Sequence, residues 1–214
     1  MKEVIPEAAR GRQAVGRRFL TTLEVMCREK IGDSWVEHAM QIAPNLGIPE
    51  VKPAIESIGG RRIQKVSPRS RHSVVQLRLG ALLATWAGRR GQVGTEWRCY
   101  VAPSGGPWSS LVPDVAYFSF ARLPRDLGEA REKPTLAPDI AAEVLSPDDR
   151  RSLLDEKIAL YFRGGTKLVI VVNPERCKIE MNDRERRSDF ELGESPRCSV
   201  FLDLRIDVSE LFVD

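Results

Sequence analysis

The chain has 214 residues, 42% of them hydrophobic, and a formal net charge of +3 at pH 7, which is enough apolar sequence for one sizeable core. No apolar run approaches the roughly 20 residues of a membrane-spanning helix, and the start lacks a signal-peptide core, so we expect no membrane partner and a cytoplasmic location. The four cysteines form no CxxC pair and no cluster with histidine, a spacing that argues against zinc and is typical of reduced thiols.

Residues 1–50 are predicted to form a helical extension ahead of a main domain, which we place at residues 51–214. Apolar residues recur with helical spacing from Leu20 to Met26 and again from Trp35 to Ile42. One or two short helices are therefore expected here. Whether they pack on the main domain or on a partner stays open.

A basic helix is predicted from Ser70 to Arg89. Its apolar stripe consists of Val75, Leu79, Leu82, Leu83 and Trp86. Arg71, Arg78 and Arg89 line one flank of this stripe, and no acidic residue occurs from Ser57 to Thr95. A row of arginines beside a cleft would suit a phosphate backbone, and the alternative is a solvated basic face.

Two strand-like runs each carry a carboxylate at an otherwise apolar position. Strands are predicted near residues 54–58, 61–66, 92–101, 112–120 and 140–145. Asp114 shares a face of its run with Ala116 and Phe118, and Glu143 interrupts a continuous apolar run. A buried carboxylate is costly unless it is paired, hydrogen-bonded or bound to a cation. For each acid alone, a position in a turn or at a strand end is the alternative.

Lys157 is predicted to face the core from a helix between Pro147 and Arg163. The apolar arc of this helix is formed by Leu153, Leu154, Ile158, Leu160, Tyr161 and Phe162. Lys157 falls inside the arc, so it should find an acidic partner or reach a cleft, and the alternative is a stem whose ammonium returns to the surface. With Asp114 and Glu143, the lysine indicates a hard-cation site with a positive charge beside it.

The remaining elements complete an α/β pattern. Strands are predicted at Leu168–Val172, Arg176–Met181 and Cys198–Leu204, a charged turn at Asn182–Asp189, and a short helix at Val208–Phe212. A charged, proline-rich loop from Leu123 to Pro138 separates the two acidic strands. The predicted fold class is a central mixed β-sheet flanked by helices.

At these residues the chain resembles the restriction endonuclease-like family of uncharacterised proteins in the PD-(D/E)XK nuclease superfamily. The resemblance covers roughly residues 52–214. The segments that carry it are Ile55–Gly60, Val66–Pro68, His72, Pro113-Asp114, Glu143–Pro147, Arg150-Arg151, Glu156-Lys157, Leu160-Tyr161, Gly164-Gly165, Val172–Pro174 and Val208–Phe212. His72 itself is interpreted as a packed or capping histidine.

The resemblance implies roles for individual residues. Asp114 matches the acid of the PD element and Glu143 the acid of the (D/E)XK element, and the backbone carbonyl of Val144 would be a further metal ligand. Leu145 stands where the simple motif has its lysine, and the family places that lysine on the next helix, at Lys157. Glu56 would be an additional acid of the site.

The implied activity is metal-dependent hydrolysis of phosphodiester bonds in nucleic acid, with DNA as the first candidate substrate. Mg²⁺ is the implied cofactor and Mn²⁺ the alternative. Leu153, Ile170 and Asn173 depart from the family, which commonly has aspartate, tryptophan and aspartate there.

Two other functions stay open. The first is a nuclease fold that binds nucleic acid or another protein without cutting, although a binder has no need for clustered acids that repel phosphate. The second is hydrolysis of a small phosphodiester. A homodimer stays open as well.

Overall fold

A computed structural model of the protein describes residues 43–102 and 106–212. The helices of this part are α1 (Ser70–Ala87), α2 (Glu129–Glu132), α3 (Arg151–Arg163) and α4 (Val208–Phe212). Its strands are β1 (Ile55–Ile58), β2 (Arg61–Gln64), β3 (Gly91–Thr95), β4 (Cys99–Val101), β5 (Ser109–Leu111), β6 (Val115–Ser119), β7 (Ile140–Val144), β8 (Leu168–Asn173), β9 (Lys178–Asn182) and β10 (Arg187–Phe190).

A six-stranded sheet with the order β10-β9-β8-β7-β6-β3 forms the centre of the fold. Strands β7 and β8 are parallel and all the other neighbours are antiparallel. Because parallel neighbours need a crossover, the chain between β7 and β8 forms helix α3. This arrangement confirms the predicted α/β class with a central mixed sheet flanked by helices.

The two faces of the six-stranded sheet are both covered. Side chains of alternating residues, such as Val115, Ile140 and Ile170, pack against α1 and α4. The other face, with Phe118 and Val171, packs against α3 and a four-stranded sheet. Residues of β6, β7 and β8 are therefore apolar on both sides, and a charged side chain in these strands stands out.

The four-stranded sheet, with the order β2-β1-β5-β4, begins with a tight hairpin. Gly59 and Gly60 join β1 to β2 with φ values of 56° and 79°, the left-handed pair that a two-residue hairpin turn requires. The pairing runs on past β2, since the Lys65 N–H donates to the Ala54 carbonyl at 2.9 Å. The hairpin therefore carries Glu56 and Lys65 on neighbouring strands.

Two predicted strands differ in the structure, since one is divided and the other begins later. The run 92–101 breaks at Glu96, whose φ is 49°, and the chain forms β3 and β4 in different sheets. The run 112–120 breaks ahead of β6, where Pro113 has no N–H for a ladder hydrogen bond. Asp114 therefore precedes a strand and does not lie inside one.

The prediction for the C-terminal strands was wrong in one place. Residues 198–204 form turns between the bridge partners Arg197 and Arg205, while β10 occupies the end of the predicted charged turn. The Asp183 side chain accepts the N–H groups of Glu185 and Arg186 at 2.9 and 2.7 Å, which closes a tight turn and leaves residues from 187 onward able to pair with β9.

The predicted N-terminal extension lies almost entirely outside the described residues, and residues 43–50 contain neither helix nor strand. The helices of residues 43–102 and 106–212 are too short or too polar to cross a bilayer.

We predict that Asp139→Asn destabilises the fold. Asp139 is fully buried at the start of β7, where it accepts hydrogen bonds from the N–H and hydroxyl of Ser119 at 2.9 Å and contacts Lys167 at 3.0 Å. The loss should be about 1–3 kcal/mol of unfolding free energy at pH 7, measured by urea denaturation. The exposed Asp126→Asn is the control.

The same variant should show a defined pH dependence. Burial raises the pKa of Asp139, but Arg122, Ser119 and Lys167 outweigh it and hold the pKa below its ordinary value. The stabilisation is therefore present above the unfolded pKa of about 3.9 and is lost as the pH falls further. The difference between wild type and Asp139→Asn should shrink near pH 3, and an undiminished difference there would contradict the ion-pair explanation.

Candidate active site

The two acidic strands bring their carboxylates to the same end of the central sheet. Strands β6 and β7 pair with Val115 opposite Ala142, so Asp114, just ahead of β6, lies beside the last residues of β7. The Asp114 Oδ2 accepts the Val144 N–H at 2.7 Å, and Glu143 is the neighbour of Val144 on β7. The Val144 N–H thus donates to a side-chain oxygen in place of a backbone carbonyl, and this hydrogen bond fixes the position of the Asp114 carboxylate.

Helix α3 adds the lysine. The Lys157 Nζ lies 2.8 Å from Glu143 Oε1 and 3.1 Å from Glu56 Oε2. All three residues are at most 6% exposed, which excludes an ammonium that returns to the surface. The Glu56 Oε1 also accepts a hydrogen bond from the Val112 N–H at 2.7 Å. Glu56 on β1 is therefore linked to the chain that follows β5. Glu56, Asp114, Glu143 and Lys157 thus meet in one cluster.

Three side chains of the cluster were missed by the sequence analysis. The Lys65 Nζ donates to Asp114 Oδ1 at 2.5 Å and to the Val112 carbonyl at 2.8 Å. The Tyr161 hydroxyl donates to Glu143 Oε1 at 2.5 Å. The His72 Nε2 lies 3.4 Å from Asp114 Oδ2.

Two of these contacts had a signal in the sequence. Tyr161 follows Lys157 by four residues and so lies on the same face of α3. Lys65 follows the half-buried Ile63 by two residues and so continues the inward face of its strand. His72 had no such signal, because its packing against Asp114 depends on where α1 meets the sheet.

Electrostatics separate the two proposed metal ligands. Burial raises the pKa of Asp114, but the charge of Lys65 and the contact with His72 outweigh it and hold that pKa well below its usual range. Burial also raises the pKa of Glu143, and the negative charges of Asp114 and Glu56 leave it raised despite Lys157 and Lys65. The ionised form is therefore stabilised at Asp114 and disfavoured at Glu143.

The lysines respond to the same acids. Burial lowers the pKa of Lys157, but Glu143 and Glu56 more than compensate and raise it far above the ordinary value. Burial likewise lowers the pKa of Lys65, and Asp114 and Glu143 raise it. Both side chains carry a positive charge at neutral pH.

A cleft of about 570 Å³ opens onto the cluster. Its lining includes Glu56, Lys65, His72, Asp114, Glu143, Val144 and Lys157. Arg61 and Arg150 also line it, and both are exposed. A phosphate group entering this cleft would meet the acids between two lysines, with arginines at the rim.

The arginines predicted to bind a phosphate backbone do not line the cleft. Arg71, at the start of α1, is exposed and lies 3.7 Å from Glu175. The Arg78 Nη1 donates to the Leu211 carbonyl at 3.3 Å, which ties it to α4. Arg89 lies beyond the end of α1, whose 18 residues span about 27 Å, so it is at the other end of the helix from Arg71. Their role stays a prediction.

The acids of the cluster meet the requirements of a hard cation. Residues 43–102 and 106–212 contain no group of three or more His, Cys, Asp or Glu arranged to hold a metal ion. Mg²⁺ needs no such cage, because it binds through one or two carboxylates and keeps several waters. Asp114 and Glu143 would supply those carboxylates. If the β6–β7 register continued, Pro113 would lie opposite Val144. Because proline has no backbone N–H, it could not donate a hydrogen bond to the Val144 carbonyl. The residues therefore fit Mg²⁺ or Mn²⁺.

Comparison with known proteins finds a family and a solved structure that are similar to this chain. Residues 42–209 match the model of the Uma2 family, which is described as "Putative restriction endonuclease". The chain is also similar to a crystal structure from Anabaena variabilis, described as a putative nuclease belonging to DUF820. That similarity has 27% sequence identity and a TM-score of 0.69, and it covers 78% of this chain and 94% of the other. No curated protein matches the chain.

We predict that the two acids differ in their effect on stability. Asp114→Asn should lower the unfolding free energy at pH 7.5 by about 2 kcal/mol or more, because Lys65 is then left without a carboxylate partner. Glu143→Gln should change it by less than about 1 kcal/mol, because the substitution also removes a costly buried charge and Lys157 keeps Glu56. Urea denaturation in EDTA measures both.

The pH profiles should also run in opposite directions. A lowered pKa means that Asp114 stabilises the fold above the unfolded value of about 3.9 and less as the pH falls. A raised pKa means that the contribution of protonated Glu143 is full below about 4.3 and is lost as the pH rises through the folded pKa. Equal losses in both variants at pH 7.5 would contradict this assignment of charge.

Proposed function

Because the chain belongs to the Uma2 restriction endonuclease family, we propose that it is a metal-dependent nuclease that hydrolyses phosphodiester bonds in DNA. Mg²⁺ is the proposed cofactor and Mn²⁺ the alternative. The catalytic residues in this proposal are Asp114, Glu143, Lys157 and Glu56, with Asp114, Glu143 and the Val144 carbonyl as metal ligands.

The observation that carries the proposal is the Lys157 ammonium held between Glu143 and Glu56 at the floor of a cleft. Replacing a buried ion pair by apolar groups is often neutral or stabilising, so a buried cluster of acids and lysines is poorly explained by stability alone. Perturbed carboxylates that converge on a cleft are typical of functional sites.

The chain's own residues would divide the work. A divalent cation, when bound, supplies positive charge that polarises the phosphoryl oxygen. Lys157 adds a fixed positive charge where negative charge develops in the transition state. The Val144 N–H orients Asp114 and the Tyr161 hydroxyl orients Glu143, so neither carboxylate needs to reorganise during the reaction.

The first test concerns the metal and the lysine. Asp114→Ala and Glu143→Ala should each abolish saturable Mn²⁺ binding in calorimetric titration. Lys157→Met should retain Mn²⁺ binding but lower the rate of cleavage of a plasmid substrate by about a hundredfold or more. Lys133→Met, which removes a lysine that pairs with Glu50 and does not line the cleft, is the control and should cleave at the wild-type rate.

Circular dichroism must first show that each variant is folded at the assay temperature. Wild-type Mn²⁺ affinity in both alanine variants would refute the metal site. Full activity of folded Lys157→Met would make the lysine structural. DNA binding without any cleavage by the wild type, with either metal, would favour the non-cutting alternative.

The second test locates the DNA backbone. Two sets of arginines compete for this role, namely the cleft pair Arg61 and Arg150 and the helix set Arg71, Arg78 and Arg89. Replacing a set by glutamine should flatten the slope of log affinity against log salt by about 0.9 for each phosphate that the protein no longer neutralises. Fluorescence anisotropy with one duplex measures the slope.

The cleft position predicts the larger flattening for Arg61→Gln with Arg150→Gln. The sequence prediction for the helix set is refuted if its triple variant keeps the wild-type slope. A slope that neither set changes would place the DNA on another surface.

A further inference from the structure

Lys65 is a second lysine at the cluster and comes from a different segment of the chain than Lys157. Among residues 43–102 and 106–212, its Nζ contacts a single carboxylate, that of Asp114, together with the Val112 carbonyl. It lies just past β2, on the hairpin that also carries Glu56. Asp114 thus pairs with Lys65, whereas Glu143 shares Lys157 with Glu56.

The oxygen that Lys65 occupies is the one that the fold leaves available. The Oδ2 of Asp114 is held by the Val144 N–H at 2.7 Å and approached by His72. The Oδ1 accepts from Lys65. A hard cation binds carboxylate oxygen, and a divalent cation at Oδ1 would repel the ammonium beside it, so ligation there favours the departure of Lys65 from Oδ1.

The two lysines differ in how firmly they are held. Lys157 lies between two carboxylates, and its side chain is 8% exposed. Lys65 has one carboxylate partner, and its side chain is 17% exposed in the lining of the cleft. Lys65 is therefore the lysine that can exchange partners at a lower cost, since Lys157 would leave two buried acids unpaired.

We propose that Lys65 is a phosphate-binding residue that is paired with Asp114 until a metal ion binds. In the metal-free protein its ammonium neutralises Asp114. When Asp114 ligates a divalent cation, Lys65 leaves Oδ1 and donates to a phosphate oxygen of the nucleic acid in the cleft. This inference rests on the proposed nuclease function and deepens it.

The exchange makes metal and nucleic acid bind cooperatively. The cation and the Lys65 ammonium compete for Asp114, which weakens metal binding when no phosphate is present to accept the ammonium. A bound phosphate recovers that loss, and by thermodynamic linkage the metal strengthens nucleic-acid binding by the same factor.

Calorimetry with Mn²⁺ alone tests the first half of the inference. Lys65→Gln keeps a hydrogen-bond donor but not the charge, so it should bind Mn²⁺ about tenfold more tightly than the wild type. Lys52→Met, which removes a lysine that is 85% exposed, is the control and should leave the affinity unchanged. Lys65→Arg keeps the charge and should restore the wild-type affinity.

Anisotropy with a fluorescent DNA duplex, with and without Ca²⁺, tests the second half. Ca²⁺ should strengthen DNA binding by the wild type and by Lys52→Met, and it should do so much less for Lys65→Gln. In the unmodified protein, the ¹⁵N resonance of the Lys65 ammonium should also shift when Mg²⁺ is added, a readout that needs no substitution.

The outcomes separate this inference from the proposed function. Saturable Mn²⁺ binding by the wild type with unchanged affinity in Lys65→Gln would overturn the exchange and leave the metal site intact. An ammonium resonance unmoved by Mg²⁺ would do the same. No saturable Mn²⁺ binding by the wild type would overturn both.

Discussion

The pairing of buried charges at one end of the central sheet is the constraint on which the site depends. Glu56, Asp114, Glu143 and Lys157 are all nearly excluded from water, and an unpaired charge there would cost several kcal/mol. Each therefore needs a partner from another segment. The cluster consequently joins the β1–β2 hairpin, the chain ahead of β6, the end of β7 and helix α3. A shift of any one of these segments would leave a buried charge without its partner.

A few features of the topology bring these partners together. The parallel pair β7 and β8 requires a crossover, and the crossover helix α3 returns Lys157 to the end of the strand that carries Glu143. The glycine turn of the hairpin places the segments of Glu56 and Lys65 side by side. The result is a rigid set of acids between two lysines, which is suited to a transition state whose charge develops at a fixed position.

The two ends of β7 illustrate different uses of a buried carboxylate. Asp139, just ahead of the first residue, has ion-pair and hydrogen-bond partners that hold its pKa below the ordinary value, and it does not line the cleft. Glu143, near the other end, has its pKa raised by burial and by neighbouring acids although Lys157 touches it. A bound cation would offset this cost at Glu143, in agreement with its proposed role as a metal ligand.

The sequence by itself determined which residues are chemically unusual, because the repeat of a strand or helix is local. Two-residue alternation placed Glu143 in an apolar strand, and the helical repeat placed Lys157 on a buried face. Only the tertiary structure decided that Lys65 pairs with Asp114, 49 residues away, and that Arg78 is tied to α4. It also decided that Cys198–Leu204 forms turns, since pairing depends on the neighbouring strand. Contacts between distant segments follow from sheet order and helix docking, which no local period encodes.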